Sequence, residues 1–170
     1  MGFGVHLVYP HGEEWEAIVR KELRPERLAF LKEDYAQGFI ADLGIRALHL
    51  EAGYLETLLM ISPRHRQQDQ YIHAGVLATM ADHTAGYAAF SLVAETQRIL
   101  TIEFKINFLK PAYGSSLRCK SRILREGGQI LVGESEVYDQ RGDEEVLAAK
   151  ALVTLMSVPQ SKIKPVKESS

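Results

Sequence analysis

One carboxylate stands where the sequence has cleared room around it. Between positions 75 and 92, at about 100° per residue, Leu77, Met80, Ala81, Thr84, Ala85, Ala88 and Leu92 gather on one side of a helix. The opposite side carries Gly75, Thr79, Asp82, Gly86 and Ala89, all short, with a single acid among them. A solvent-facing side would hold Lys, Glu and Arg instead. Glycine in a helix interior costs ~1 kcal/mol relative to alanine, so Gly86 marks a place where a backbone or a narrow ligand comes close. Asp82 is then a carboxylate in a crevice, either hydrogen-bonded for structure or held for acid–base or nucleophilic chemistry. The helix opens on His73-Ala74-Gly75. Small residues there leave the first backbone N–H groups open, and those groups with the helix dipole favour an oxyanion or a polarised carbonyl. His49, His65 and His83 are expected as packed or surface histidines, His83 pointing away from the side of Asp82.

Distance constrains how these two features cooperate. Asp82 lies seven residues beyond Gly75, roughly 10 Å along the axis at about 1.5 Å per residue. One small reacting carbon does not reach both ends within one chain. If both act on it, two helices run antiparallel with each start beside the other's Asp82. That geometry calls for a two-fold dimer with composite sites.

The elements that must position this helix follow from periodicity. Residues 11–37 are charged and helical in pattern, with Pro25 at a first helical position and Leu28, Leu31 and Tyr35 behind it. Residues 45–50 and 54–61 read as strands around the break Glu51-Ala52-Gly53. Residues 63–71 form a polar, irregular loop, and the long helix runs from about Ala74 to Ala94. Leu100, Ile102, Phe104, Ile106 and Phe108 alternate with Thr101, Glu103, Lys105 and Asn107, a strict period of two that predicts a strand. Strands over 116–125 and 129–138 flank Gly127-Gly128, and a last strand spans 146–156 after Arg141-Gly142-Asp143. Short turns between neighbouring strands imply an antiparallel sheet, and the central helix covers one face of it. The fold class is α+β. From Val158 on, Pro159, Pro165 and several lysines suggest a loosely held tail.

Composition bounds the function classes. The 170 residues carry 20 Lys plus Arg against 22 Asp plus Glu, a net charge of −2, which argues against gripping nucleic acid or an anionic membrane. The single cysteine, Cys119, excludes an intrachain disulfide, and no Cys/His cluster suggests zinc. No stretch reaches the ~18 apolar residues of a membrane span, and the first twenty residues lack a secretory pattern. The expectation is a soluble cytoplasmic protein of one main domain.

The run His73-Ala74-Gly75-Val76-Leu77-Ala78-Thr79-Met80-Ala81-Asp82 resembles the His-Gly-Gly…Asp helix start of PaaI-like hotdog-fold acyl-CoA thioesterases. Thr101-Ile102-Glu103-Phe104-Lys105-Ile106-Asn107-Phe108-Leu109-Lys110-Pro111 resembles that family's central strand, and the order of elements agrees over about residues 40–156. The resemblance implies a long helix wrapped by a curved antiparallel sheet of about six strands, over residues 39–157. Residues 1–38 are then an added helical extension and 158–170 a flexible tail. It implies hydrolysis of an acyl-coenzyme A thioester, with no metal and no cofactor beyond the coenzyme A of the substrate. Asp82 maps to the family's general base or nucleophile, and the Ala74 N–H to its oxyanion donor, where the family more usually has glycine. Gln67 maps to the amide that orients substrate or water, and Thr101 to a hydroxyl that holds the water. His73, Gly75 and Gly86 line the substrate. Arg98, Lys110, Arg122 and Arg125 are available for the nucleotide phosphates, and Tyr54, Met80, Tyr87 and Phe90 for an acyl tunnel. The implied assembly is a homodimer that pairs again into a tetramer, with no nucleic-acid or membrane partner. Two other readings stand beside it: a non-catalytic acyl-CoA-binding module, and a hydratase or dehydratase using His73.

Overall fold

A computed structural model describes residues 22–163. The chain enters through α1 (Pro25–Tyr35), whose first position is the proline that tolerates losing its N–H there. A second, six-residue helix, α2 (Gly38–Leu43), follows at once. It is too short for the sequence to show a helical period, so it goes unforeseen at the start of the expected main domain. Gly44 ends it in the left-handed region (φ 82), with its N–H on the carbonyls of Ile40 and Ala41.

Strands β1 (Arg46–Glu51) and β2 (Tyr54–Met60) form a hairpin around Ala52-Gly53, where Gly53 has φ 74. Helix α3 (Ala74–Phe90) comes next, then β3 (Gln97–Phe108), β4 (Ser116–Glu126), β5 (Ile130–Arg141) and β6 (Glu144–Pro159). The sheet is six-stranded, ordered β1-β2-β4-β5-β6-β3, and every pairing is antiparallel. Helix α3 packs against β2 through β6. This is the hotdog arrangement, and the foreseen sheet-facing residues Leu77, Met80, Ala81, Thr84, Ala85 and Ala88 are all buried.

Two expectations are corrected and a third is refined. Helix α3 stops at Phe90, not Ala94. The Ser91 hydroxyl donates to the Ala88 carbonyl (2.6 Å) and accepts from the Gly53 N–H (2.8 Å), so the hairpin turn pins the helix end. The last strand reaches Pro159, because Val158 and Pro159 still lie opposite Arg98 and Gln97 of β3. The polar loop 63–71 is a loop as expected, but it opens on a short 3-10 turn, Pro63–His65, and is tied down rather than free. His65 within it is buried: Nδ1 accepts from the Ser62 N–H (3.0 Å) and Nε2 donates to the Leu43 carbonyl (2.9 Å). Arg66 ties the loop to the Gln70, Tyr113 and Gly114 carbonyls, and Arg66 and Ile72 form a β-bridge.

Helix α1 of the same chain packs on the His83, Tyr87 and Phe90 face of α3, beside the small-residue side, where Gly86 still fronts open space. Leu31 and Tyr35 are buried there. Tyr35 packs tilted against His83 and edge-on against Tyr87 at centroid distances of 4.7 and 5.1 Å, and Tyr87 donates to Asp34 (2.7 Å). Arg27 donates to the Phe90 carbonyl (2.8 Å) and lies over its ring. The start of the expected extension, residues 1–21, lies outside the described residues.

Candidate active site

The start of α3 is built by its own cap. His73 adopts an extended conformation (φ −62, ψ 135), and its Nδ1 accepts the Gly75 N–H (2.9 Å). A β-carbon on Gly75 would sit 3.0 Å from that nitrogen, so glycine is what lets the imidazole cap the helix. The cap consumes the Gly75 amide and leaves the Ala74 N–H without a hydrogen bond among the described residues. Ala74 itself is exposed.

A buried acid that the sequence did not single out braces this start. Asp139 is fully buried and accepts from the Tyr113 N–H (3.1 Å), the Gly114 N–H (2.9 Å) and Arg141 Nε (2.7 Å). The loop it holds presents the Ala112 carbonyl to the Ile72 N–H (2.7 Å), one residue before the cap. A strand aspartate surrounded by polar turn residues gives no local sign of this role.

Two turns along α3, Asp82 is half-buried, and Thr101 Oγ1 donates to its Oδ1 at 2.8 Å. The preceding turn is fixed from below, where Ser135 donates to the Ala81 carbonyl (2.7 Å). The Thr101 contact corrects the alternation read from the sequence. Ile102 is an extra residue in β3, because Thr101 lies opposite Leu155 while Glu103 lies opposite the adjacent Thr154. This β-bulge flips the faces: Ile99 and Thr101 meet the helix side before it, Phe104 and Ile106 after it. Leu100 and Ile102, on the apolar side of the alternation, are exposed.

Asp82 separates two concavities. One, of about 200 Å³, lies between α3, α1 and β3 and is lined by Asp34, Gly86, Tyr87, Phe90, Arg98 and Thr101. A β-carbon on Gly86 would meet nothing within 4 Å, so this glycine leaves open space. The other, of about 610 Å³, is a wider groove past Gly75, Thr79, Phe39 and Phe104. His83 lines both, contrary to the expectation that it points away. Its Nε2 donates to the Tyr35 carbonyl (3.2 Å), and burial holds its pKa below the ordinary 6.5.

The structure brings together Asp82, Thr101 and Gly86, and it sets Ala74, Gly75 and His73 two turns away at the helix start. Gln67 belongs to the loop before that start. Its backbone N–H bonds the Tyr71 carbonyl (2.8 Å), and it lines neither concavity. Of the foreseen tunnel residues, Tyr87 and Phe90 line the smaller cavity, whereas Met80 is core and Tyr54 lies at the β1–β2 turn. Arg98 lines that cavity too, Arg122 pairs with Glu134, and Lys110 and Arg125 are exposed. Among the described residues no group of three or more His, Cys, Asp or Glu could hold a metal. No helix among them is long and apolar enough to cross a membrane.

This geometry can be set beside known proteins. Residues 69–146, from the loop through β6's start, match the family described as the thioesterase superfamily. The proofreading thioesterase EntH of Klebsiella pneumoniae is 30% identical over 115 residues, 68% of this chain and 84% of that one. The chain belongs to the thioesterase superfamily. Among solved structures, a thioesterase family protein from Silicibacter pomeroyi superposes with a TM-score of 0.74 at 35% identity, covering 76% of this chain and 96% of that one. A hypothetical thioesterase protein from Streptococcus pneumoniae solved with coenzyme A superposes with a TM-score of 0.66 at 20% identity, covering 75% of this chain and 97% of that one. As a thioesterase-superfamily member this chain is a thioester hydrolase. The matched segment contains α3 and Thr101 but neither α1 nor α2.

Proposed function

We propose that this thioesterase hydrolyses acyl-coenzyme A, in composite sites formed by two chains. In each site the thioester carbonyl oxygen accepts the Ala74 N–H of one protomer, where the α3 dipole favours the oxyanion of the tetrahedral intermediate. Asp82 of the other protomer acts on water as general base, or attacks as nucleophile, and coenzyme A leaves as the thiolate. Thr101 holds Asp82 by one oxygen and leaves the other for the reaction. Gln67, near the helix start, orients substrate or water there, and His73 offers Nε2 while Nδ1 is committed to the cap. The observation that carries the reading is an amide and a carboxylate oxygen, both free among the described residues, on one continuous helix and eight residues apart. That is roughly 12 Å, too far for one carbonyl carbon, so a second copy of the helix must close the site. The coenzyme A held by the pneumococcal relative supports the choice of thiol carrier.

The test uses complementation. Asp82→Asn removes the base or nucleophile, and turnover should fall by about 10²–10⁴-fold. Ala74→Pro deletes only the amide hydrogen: proline is favoured at a first helical position, and the extended His73 before it suits proline. Each variant alone should be inactive in an acyl-CoA thiol-release assay. Mixed after unfolding and refolding together, they should recover about a quarter of wild-type activity, because half the dimers contain one intact site. Full activity of Ala74→Pro, or no recovery on mixing, would overturn the composite site. Acyl-CoA binding without turnover in the wild type would favour a non-catalytic module.

A further inference from the structure

Two serines lie in the core beneath α3, Ser121 on β4 and Ser135 on β5, opposite one another and both fully buried. A buried hydroxyl without partners is destabilising, so its hydrogen bonds have to be accounted for. The two oxygens are 2.6 Å apart, and Ser135 Oγ lies 2.7 Å from the Ala81 carbonyl oxygen. A serine has one hydrogen to give. That of Ser135 goes to the carbonyl, so Ser121 donates to Ser135, and the bonds run one way, from β4 through β5 to the helix. Hydroxyls aligned like this polarise one another and strengthen the last bond. Cys119, two residues before Ser121, donates to the neighbouring Met80 carbonyl (3.7 Å), and burial pushes its thiol up to about 11, so the hydrogen stays on it.

Both carbonyls lead into Asp82. The Ala81 carbonyl belongs to the peptide unit that ends at the Asp82 α-carbon, and that unit is planar and rigid. Holding the oxygen therefore holds the carbon from which the carboxylate side chain hangs. The carbonyl keeps its helical bond as well, since its oxygen has two lone pairs. The far end of the same residue is held by Thr101, whose hydroxyl donates to Oδ1 (2.8 Å). Ser135 lies opposite Ala151 of β6, and Thr101 lies opposite Leu155 of the same strand. The two anchors thus stand on the strands either side of β6, about 10 Å apart across one hydrogen-bonded sheet. Backbone and side chain of Asp82 are fixed to a single rigid frame.

We infer that Ser135 is a positioning residue for Asp82: its bond to the Ala81 carbonyl sets the turn of α3 that keeps the carboxylate on Thr101 and aimed at the thioester. The inference rests on the role given to Asp82 above. Ser135 lies beneath the helix, touches no substrate and takes no part in bond breaking.

The experiment measures thiol release from acetyl-CoA, hexanoyl-CoA and benzoyl-CoA and follows the one that the wild type turns over fastest. The variants are Ser135→Ala, Ser121→Ala, the two together, and Thr101→Val with and without Ser135→Ala. Ser135→Ala should lower kcat by about tenfold and leave KM within about twofold, because substrate contacts are intact and the reacting group is displaced. The fall of kcat toward low pH should begin at a higher pH, since a carboxylate that drifts from a donor loses stabilisation of its charged form. Ser121→Ala keeps the bond to Ala81 and should stay within about twofold of wild type. The double serine variant strands no hydroxyl, so it should fold, and it should match Ser135→Ala. Added to Thr101→Val, Ser135→Ala should cost under about twofold, because both act through the same carboxylate. A folded Ser135→Ala with wild-type kcat and pH profile, or an equal loss in Ser121→Ala, would make the serines ordinary core packing. Either would overturn the inference and leave the hydrolase reading standing. Undiminished thiol release by Asp82→Asn would overturn both.

Discussion

Asp82 shows how little of a residue's role lies in its identity. Its position on a face of short side chains made it a candidate from the sequence alone, and the structure adds a donor, Thr101, aimed at one of its oxygens. Thr101 was equally readable as an ordinary sheet former on the polar side of its strand, because nothing in the alternation of β3 announces the bulge at Ile102. His83 and His65 carry a different consequence. Burial lowers both pKa values from the ordinary 6.5, since the charged form loses hydration. The unfolded chain takes up protons near pH 6.5 that the folded chain refuses. Their contribution is therefore complete above 6.5 and is lost as pH falls from there through the lower folded values. We expect urea midpoints to drop between about pH 7.5 and pH 5.5, and to drop less in His83→Gln, which can still donate to the Tyr35 carbonyl. An equal drop in both proteins would remove His83 from the acid response.

At the scale of elements, the helix start is held by parts far away in sequence. The cap of α3 follows Ile72, which hangs on the Ala112 carbonyl, and that loop hangs on the buried Asp139 of β5. Gly114 in the same loop is forced: a β-carbon there would meet the Gln140 carbonyl oxygen at 2.0 Å. Asp139→Ala leaves the Tyr113 and Gly114 amides without their acceptor. It should cost about 1–3 kcal/mol in urea unfolding, the range for a buried donor left unsatisfied. In the folded fraction kcat should fall, because the Ala74 amide loses its placement. A change under about 1 kcal/mol would show that the loop holds itself. The same scale explains why α1 was illegible as part of the site. Its Leu28, Leu31 and Tyr35 repeat declares a helix, but only the packed rings of Tyr35, His83 and Tyr87 say which surface it covers.

For the whole molecule, the open question is what lies against β3. It is the last strand of the sheet, twelve residues long, with Leu100, Ile102, Phe104 and Phe108 exposed along it. A long apolar edge without protection pairs with another chain unless something covers it. The composite site proposed above would make that partner a second copy. Sedimentation should therefore give at least twice the chain mass of 19.1 kDa at micromolar concentration. Ile102→Lys, at a residue 54% exposed, should yield a folded monomer without turnover. A monomer that retains full activity would defeat the two-chain arrangement.

The sequence by itself determined the central helix, the antiparallel strands around it, and the acid and small-residue opening on which the proposed chemistry rests. Those features are local and periodic, so spacing of 3.6 or 2 residues records them directly. Only the tertiary structure decided that a bulge turns Thr101 onto Asp82, that Asp139 carries the helix start, and that α1 walls the cavity beside the carboxylate. Each of these depends on which surfaces meet across tens of residues, and burial is settled by that meeting, which no local pattern of side chains encodes.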